Sequence, residues 1–320
     1  MTYWKITLAY DGTPYRGWQV QPGLLTVQGL LADAIHRTVG ERVLPQGSGR
    51  TDAGVHAHAQ VASFALAAQI PAANLHRALN RCLPPSIRVL SVEAVPPEFH
   101  ARHSARRKTY EYRIFPLKPS PTPSANAASN CHSEQSEESP HLARSERISL
   151  FRNETSTADL SAENKTATRS EERICPPMLA PFVWPCPWPL DLEALNQASR
   201  HVLGAHDFTS FAASDPDLTA RTNPEPPCNL RTIDHSQWHT ADGLYLYRVT
   251  ANGFLHHMVR NLVGTFVQAG AHRLAPDSIP ALLAACNRAV AGPTAPATGL
   301  FLVSVEYPAF EPSESITVCS

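Results

Sequence analysis

An α+β fold with an antiparallel sheet in each of two halves is what this sequence predicts. Three observations carry the prediction. Stretches with strand and helix periodicity alternate along the chain instead of segregating into blocks. That rhythm runs once through residues 1–117 and again through residues 178–310. Between the two lies a segment with few large apolar side chains.

Taken in order, Tyr3 to Tyr10 places Trp4, Ile6, Leu8 and Tyr10 on one face, a half-buried strand that ends at Asp11-Gly12 and Pro14. Thr26 is placed to cap a helix whose apolar positions Val27, Leu30, Leu31, Ala34 and Ile35 recur at helical spacing up to Gly40. After the glycine-rich Gly47-Ser48-Gly49, Val55 to Phe64 reads as a strand, Ala72 to Leu83 as a helix and Arg88 to Val95 as a strand. Lys108 to Phe115 sets Tyr110, Tyr112 and Ile114 against Thr109, Glu111 and Arg113. In the second half, Asp191 caps a helix over Leu192 to Leu203. Strands follow over Thr232 to Trp238 and Leu244 to Ala251, then helices over Leu255 to Ala269 and Pro280 to Cys286, and a last strand over Leu300 to Tyr307. Each half has the mixture of a ferredoxin-like or RNA-recognition-motif-like unit, and the sheets meet around a central cleft. Residues 118–177, with the acidic serine-rich run Ser133 to Ser139, form a low-complexity insertion expected to be disordered, and 311–320 a tail.

Composition narrows the class. The chain has 320 residues, 43% of them hydrophobic, as in globular proteins, and no apolar run approaches the ~20 residues that cross a bilayer. Its N-terminus enters the first strand without a signal-peptide pattern, so a cytoplasmic protein is expected. Seven scattered cysteines with no Cys-x-x-Cys pair speak against a disulfide framework or a cysteine-built zinc site. Net charge is −1, so any affinity for phosphates must come from local clusters such as Arg102, Arg106, Arg107 and Lys108.

The most informative stretch runs from Gly47 to His56 and contains Gly49-Arg50-Thr51-Asp52-Ala53-Gly54. An arginine two residues before a carboxylate can hold that acid ionised. An ionised carboxylate on a glycine-framed turn suits attack on an electrophilic carbon. The residues alone better describe an ordinary Asp-Ala-Gly turn with a local ion pair, since Asp and Gly are the common turn residues.

Gly49 to His56 resembles the signature of the tRNA pseudouridine synthase A family. The likeness extends, in order, through Tyr10-Asp11-Gly12, Tyr15 to Gln19, Thr26-Val27-Gln28, Phe99 to Arg102, Lys108 to Tyr112, His206 to Phe211, Asn252 to Asn261 and Gly299 to Val303. The resemblance implies that Asp52 either attacks the target nucleotide or removes its 2′ proton. It implies that Arg50 helps extrude the target base and holds the aspartate. Tyr110 would stack on the flipped uracil, and Arg260 would pair with Asp52. Arg102, Arg106, Arg107 and Lys108 are expected phosphate contacts, and His56, His256 and His257 further RNA contacts. The substrate implied is uridine 38, 39 or 40 of the tRNA anticodon stem-loop, bound by a homodimer. The isomerisation needs no cofactor, metal or redox change.

Two other readings use the same residues. A metal-dependent hydrolase would draw ligands from Asp52, His56, His58 and the His256-His257 pair. A non-catalytic RNA-binding protein on the same scaffold would have no need of the Asp52 carboxylate.

Overall fold

The computed structural model describes residues 1–118, 173–213 and 228–309. Most of the expected insertion, the proline-rich stretch around Pro224 and the tail therefore lie outside the described residues. In chain order the elements are β1 (Thr2–Tyr10), α1 (Val27–Val39), β2 (Gln46–Gly47), β3 (His56–Leu66), α2 (Ala72–Cys82), β4 (Ile87–Val95) and β5 (Arg107–Pro116). They continue with β6 (Trp184–Cys186), α3 (Leu192–Arg200), β7 (Gly204–Asp207), β8 (Leu230–Ala241), β9 (Leu244–Ala251), α4 (Met258–Gly270), α5 (Ile279–Ala284) and β10 (Leu300–Glu306).

Local chemistry accounts for the boundaries. The Thr26 hydroxyl accepts from the Gly29 N–H at 3.3 Å and opens α1, which stops at Gly40 in the left-handed conformation. Asp191 caps α3 in the same way, accepting from the Glu193 N–H at 2.9 Å. Between β8 and β9 the two-residue turn Asp242-Gly243 has φ of 52° and 74°, the doubly positive pattern of a tight hairpin.

The strands form one sheet in the order β4-β1-β3-β10-β5-β9-β8-β7, with β2 added on β3 and β6 on β5. The strands of the two halves thus interleave in one sheet: β5, from the first half, lies beside β9, and β10, from the second, lies between β3 and β5. At the junction β10, the last strand among the described residues, lies parallel to β3 and antiparallel to β5. Every other pairing along the main path is antiparallel. The mixed α+β reading holds. The short strands β2, β6 and β7 escape periodicity because two to four residues contain too few alternations to show one.

Helices line one side of each half. Ile6 and Leu8 of β1 share a core with Leu31 and Ile35 of α1 and Leu75 and Leu79 of α2. In the second half Trp238 of β8 stacks on Tyr247 of β9 at 4.9 Å between ring centres, and Tyr247 meets Phe266 of α4 edge-on at 5.4 Å. Each such ring contributes about 1.5–3 kcal/mol by leaving water. On the other side of the central strands, Glu111 is buried and accepts from Arg113 and Arg248, each at 2.9 Å. Burial opposes the Glu111 charge, but the two arginines outweigh it and hold the carboxyl below its ordinary range.

α4 begins at Met258, three residues later than its periodicity suggests, because His257 adopts φ 59° and breaks the helical path. Within α4, Gly264 lets the 293–295 segment lie against the helix: a Cβ there would sit 1.7 Å from the Pro293 carbonyl oxygen. Gly264→Ala should therefore displace that segment and lower stability by about 2 kcal/mol or more, read as the midpoint of urea denaturation. An unchanged midpoint would show that the segment yields freely.

Candidate active site

The loop between β2 and β3 is held from several sides. The Trp18 N–H donates to the Thr51 carbonyl at 3.0 Å, and the hydroxyls of Tyr10 and Thr51 lie 2.8 Å apart. Gly54, at φ 80°, turns the chain after Asp52 and donates to the Tyr15 carbonyl at 3.3 Å. Gln60 Nε2 donates to the Gly49 carbonyl at 3.0 Å, and Lys108 Nζ to the Ser48 carbonyl at 2.6 Å. Strands β3 and β5 thus grip the start of the loop through side chains.

Asp52 stands at the end of this support, with its side chain about one-fifth exposed. Arg260 of α4, 208 residues away in sequence, donates from Nη1 to Asp52 Oδ2 at 2.9 Å. The guanidinium is itself fixed, since Arg260 Nε–H donates to the Ala295 carbonyl at 2.7 Å. His257 Nε2 lies 3.3 Å from Oδ2 and His256 Nε2 lies 3.6 Å from Oδ1. The pairing of Asp52 with Arg260 is the geometry that the sequence reading assigned to them. Arg50 lies exposed at the mouth of the same loop.

Tyr110, on β5, is 8% exposed and meets Phe254 edge-on at 5.0 Å. Burial raises its phenol well above the ordinary value, and the nearby Tyr10 and the Asp52 charge add to the rise. Tyr10 is itself pushed up to about 12 by burial. Both phenols stay protonated throughout the neutral range, so Tyr110 offers an aromatic face and an O–H beside the carboxylate.

The expected RNA contacts separate into different environments. Arg102 and Arg106 are exposed. Arg107 is exposed but pairs with Asp234 at 3.0 Å. Lys108 departs from the expectation of a surface phosphate contact. Its amine is turned inward to Ser48, and burial, with Arg102 and Arg231 adding to it, lowers its pKa to about 8.

His56 departs further. It is 1% exposed, accepts at Nδ1 from the Gly12 N–H at 3.1 Å, and has Nε2 3.1 Å from the Pro181 carbonyl. Its ring stacks on Phe301 at 4.6 Å. In place of the expected RNA contact, His56 ties β3 to Gly12 and Pro181. Burial holds it neutral against the pull of Asp11.

The hydrolase reading takes metal ligands from Asp52, His56, His58 and the His256-His257 pair. His58 instead lies by Phe301 and Arg113. Among the described residues the group able to converge on an ion is Asp52, His256 and His257, whose ligand atoms lie within 4.8 Å of one another. The Arg260 guanidinium occupies one of the same carboxylate oxygens and would repel a divalent cation there.

This loop, its carboxylate and the partner arginine fall within the two stretches that match a family model. Residues 6–104 and 198–308 match the model described as tRNA pseudouridine synthase. The chain belongs to the tRNA pseudouridine synthase family. It is 40% identical to tRNA pseudouridine synthase A of Solibacter usitatus over 304 residues, covering 95% of this chain and 98% of that protein. It is 37% identical to the Moorella thermoacetica protein of the same name and 35% to that of Bacillus velezensis, each over 95% of this chain and 98% of the relative. The family model covers Arg50, Asp52, His56, His256, His257 and Arg260, whereas Tyr110 falls between its two matched stretches. Among the described residues no helix is long and apolar enough to cross a membrane.

The synthase loop and β5 are joined by Lys108, which makes its burial testable through pH. A folded-state pKa near 8 against an ordinary 10.5 means that the unfolded chain binds the extra proton between those values. Stability of the wild type should therefore rise relative to Lys108→Met as pH increases from about 8 to about 10.5. The comparison is of melting temperatures across that window. A constant difference would show that the amine is solvated.

Proposed function

We propose that this chain isomerises uridine to pseudouridine at positions 38, 39 and 40 of the tRNA anticodon stem-loop, with Asp52 as the reacting carboxylate. The observation that carries the reading is the Asp52–Arg260 pair, a carboxylate fixed at 2.9 Å by a guanidinium that is itself anchored to a backbone carbonyl. Family membership supplies the substrate class, and the same reading makes the protein a cytoplasmic homodimer.

The chemistry keeps every atom of the substrate. The N1–C1′ bond breaks, the uracil turns, C5 bonds to C1′, and the C5 proton leaves as N1 gains one. Asp52 serves this either by adding to C1′ or by taking the 2′ proton, and both roles need a carboxylate held within reach of the sugar. A base in a stem must first leave the stack, at a cost of a few kcal/mol. On this reading Arg50, which is exposed, helps extrude the target base, and the buried Tyr110 stacks on the flipped uracil. Arg102 and Arg106 supply exposed positive charge for the backbone phosphates.

Pseudouridine mapping on an anticodon stem-loop tests the reaction. Wild type should convert positions 38 to 40, while Asp52→Asn converts none and binds the same RNA within roughly threefold. Binding without conversion by the wild type would favour a non-catalytic RNA-binding protein. A second measurement separates the arginines. Arg106→Ala should reduce the slope of log affinity against log salt by about 0.9. Arg107→Ala should change it less, because Asp234 already pairs with that charge.

A further inference from the structure

Asp52 is held by more than its arginine, and the additional contact comes from a residue in an unfavourable backbone conformation. His257 stands immediately before α4 with φ 59° and ψ 4°, a left-handed conformation that side chains with a Cβ rarely adopt. A residue at this position ordinarily turns its side chain back to cap the helix, and His257 makes no such bond. The backbone on either side is fixed. Ala213 N–H donates to the His256 carbonyl at 2.9 Å, Met258 N–H to Leu255 at 3.1 Å, and Asn261 N–H to His257 at 2.9 Å. The surroundings therefore impose the strained conformation, and it aims the imidazole at the carboxylate. Nε2 reaches 3.3 Å from Oδ2, the oxygen that also receives the Arg260 N–H. Oδ1 is approached by His256 at 3.6 Å.

We propose that His257 is a positioning residue for the reaction: with Arg260 it fixes Oδ2 of Asp52, so that Oδ1 is the oxygen presented to the nucleotide. This rests on the reading of Asp52 as the reacting carboxylate. The imidazole must be neutral to do so, because an imidazolium at this distance would tie up the negative charge that the reaction uses. Burial lowers the His257 pKa below the ordinary 6.5. Asp52 opposes that shift, and the other charges facing the ring, His256, Arg260 and Arg288, add to it. The neutral form thus prevails at neutral pH, and the rate should fall as the solution is acidified below that range.

The test is single-turnover conversion of an anticodon stem-loop, from pH 5 to pH 8, by wild type, His257→Gly and His257→Asn. Both substitutes tolerate the left-handed conformation, so the backbone at 257 is kept. His257→Gly should lose roughly 10- to 100-fold in the conversion rate with RNA affinity within about threefold of wild type. His257→Asn, which keeps an N–H donor that does not titrate, should recover part of the rate and lose the acid limb shown by wild type. Wild-type conversion by His257→Gly, a loss confined to RNA affinity, or an unchanged acid limb in His257→Asn would each overturn the inference. If His257→Gly melts below the assay temperature, His257→Asn decides it. Absence of conversion by the wild type would instead overturn the proposed function.

Discussion

The contact on which the rest of the structure depends is that between Asp52 and Arg260. A carboxylate and a guanidinium withdrawn from water stabilise each other only when their geometry is fixed and their remaining hydrogen-bonding positions are used. Each partner here is secured by contacts of its own. Thr51 is tied to Trp18 and Tyr10, and the turn after Asp52 to Tyr15. Arg260 is tied to Ala295, which donates back to the Arg260 carbonyl at 3.1 Å. The position of Ala295 depends in turn on the close approach of Pro293 to Gly264, and Gly292 N–H adds a bond to the Thr265 hydroxyl at 2.9 Å. A short N-terminal loop and a helix some two hundred residues later thereby act as one rigid piece.

The sheet makes that long-range meeting possible. β10 lies between β3, which follows Asp52, and β5, which carries Tyr110. Phe301 pairs with His56 on one side and Glu111 on the other, and Leu302 pairs with Ala57 and Tyr110. The last strand therefore sets the spacing between the Asp52 loop and the Tyr110 strand. His56 and Phe301 form a stacked contact at the same place, and Tyr112 adds a hydroxyl bond to the Pro296 carbonyl at 2.7 Å. These pairings bring β10 against strands some two hundred residues earlier in the chain, so assembling the site carries a large loop-closure entropy.

Much of this was legible in the sequence, for definable reasons. β1, α1 and β9 bury regular stripes, so their periodicity survives in the residue order. Asp52 and Arg260 stood out through the blocks around them, and their pairing followed from the resemblance. What the sequence concealed depends on long-range neighbours. His56 and Lys108 look like surface ligands in a polar run, and only the approach of Pro181 and of the Ser48 carbonyl shows that both point inward. The interleaving of the two halves through β10 leaves no mark on local periodicity, because Leu300 to Glu306 alternates in the same way whichever strands flank it. The late start of α4 was hidden as well, since His257 occupies a left-handed conformation that sequence patterns assign to glycine or asparagine.

The protonation states around Asp52 constrain the path of the C5 proton. Tyr110 is held neutral by burial, by Tyr10 and by the Asp52 charge, so a phenolate waiting to accept a proton would place a buried negative charge beside another. If the Tyr110 oxygen accepts the C5 proton, it must release its own in the same step. On the proposed reaction, Asp52 becomes available as a base once its bond to the sugar is broken or the 2′ proton has been returned. His257 lies 3.3 Å from the same carboxylate, and an Nε2–H that holds Oδ2 cannot also take a proton from it. In that proposed reaction the proton therefore passes most simply to Asp52 itself, with Tyr110 supplying a buried aromatic wall beside it.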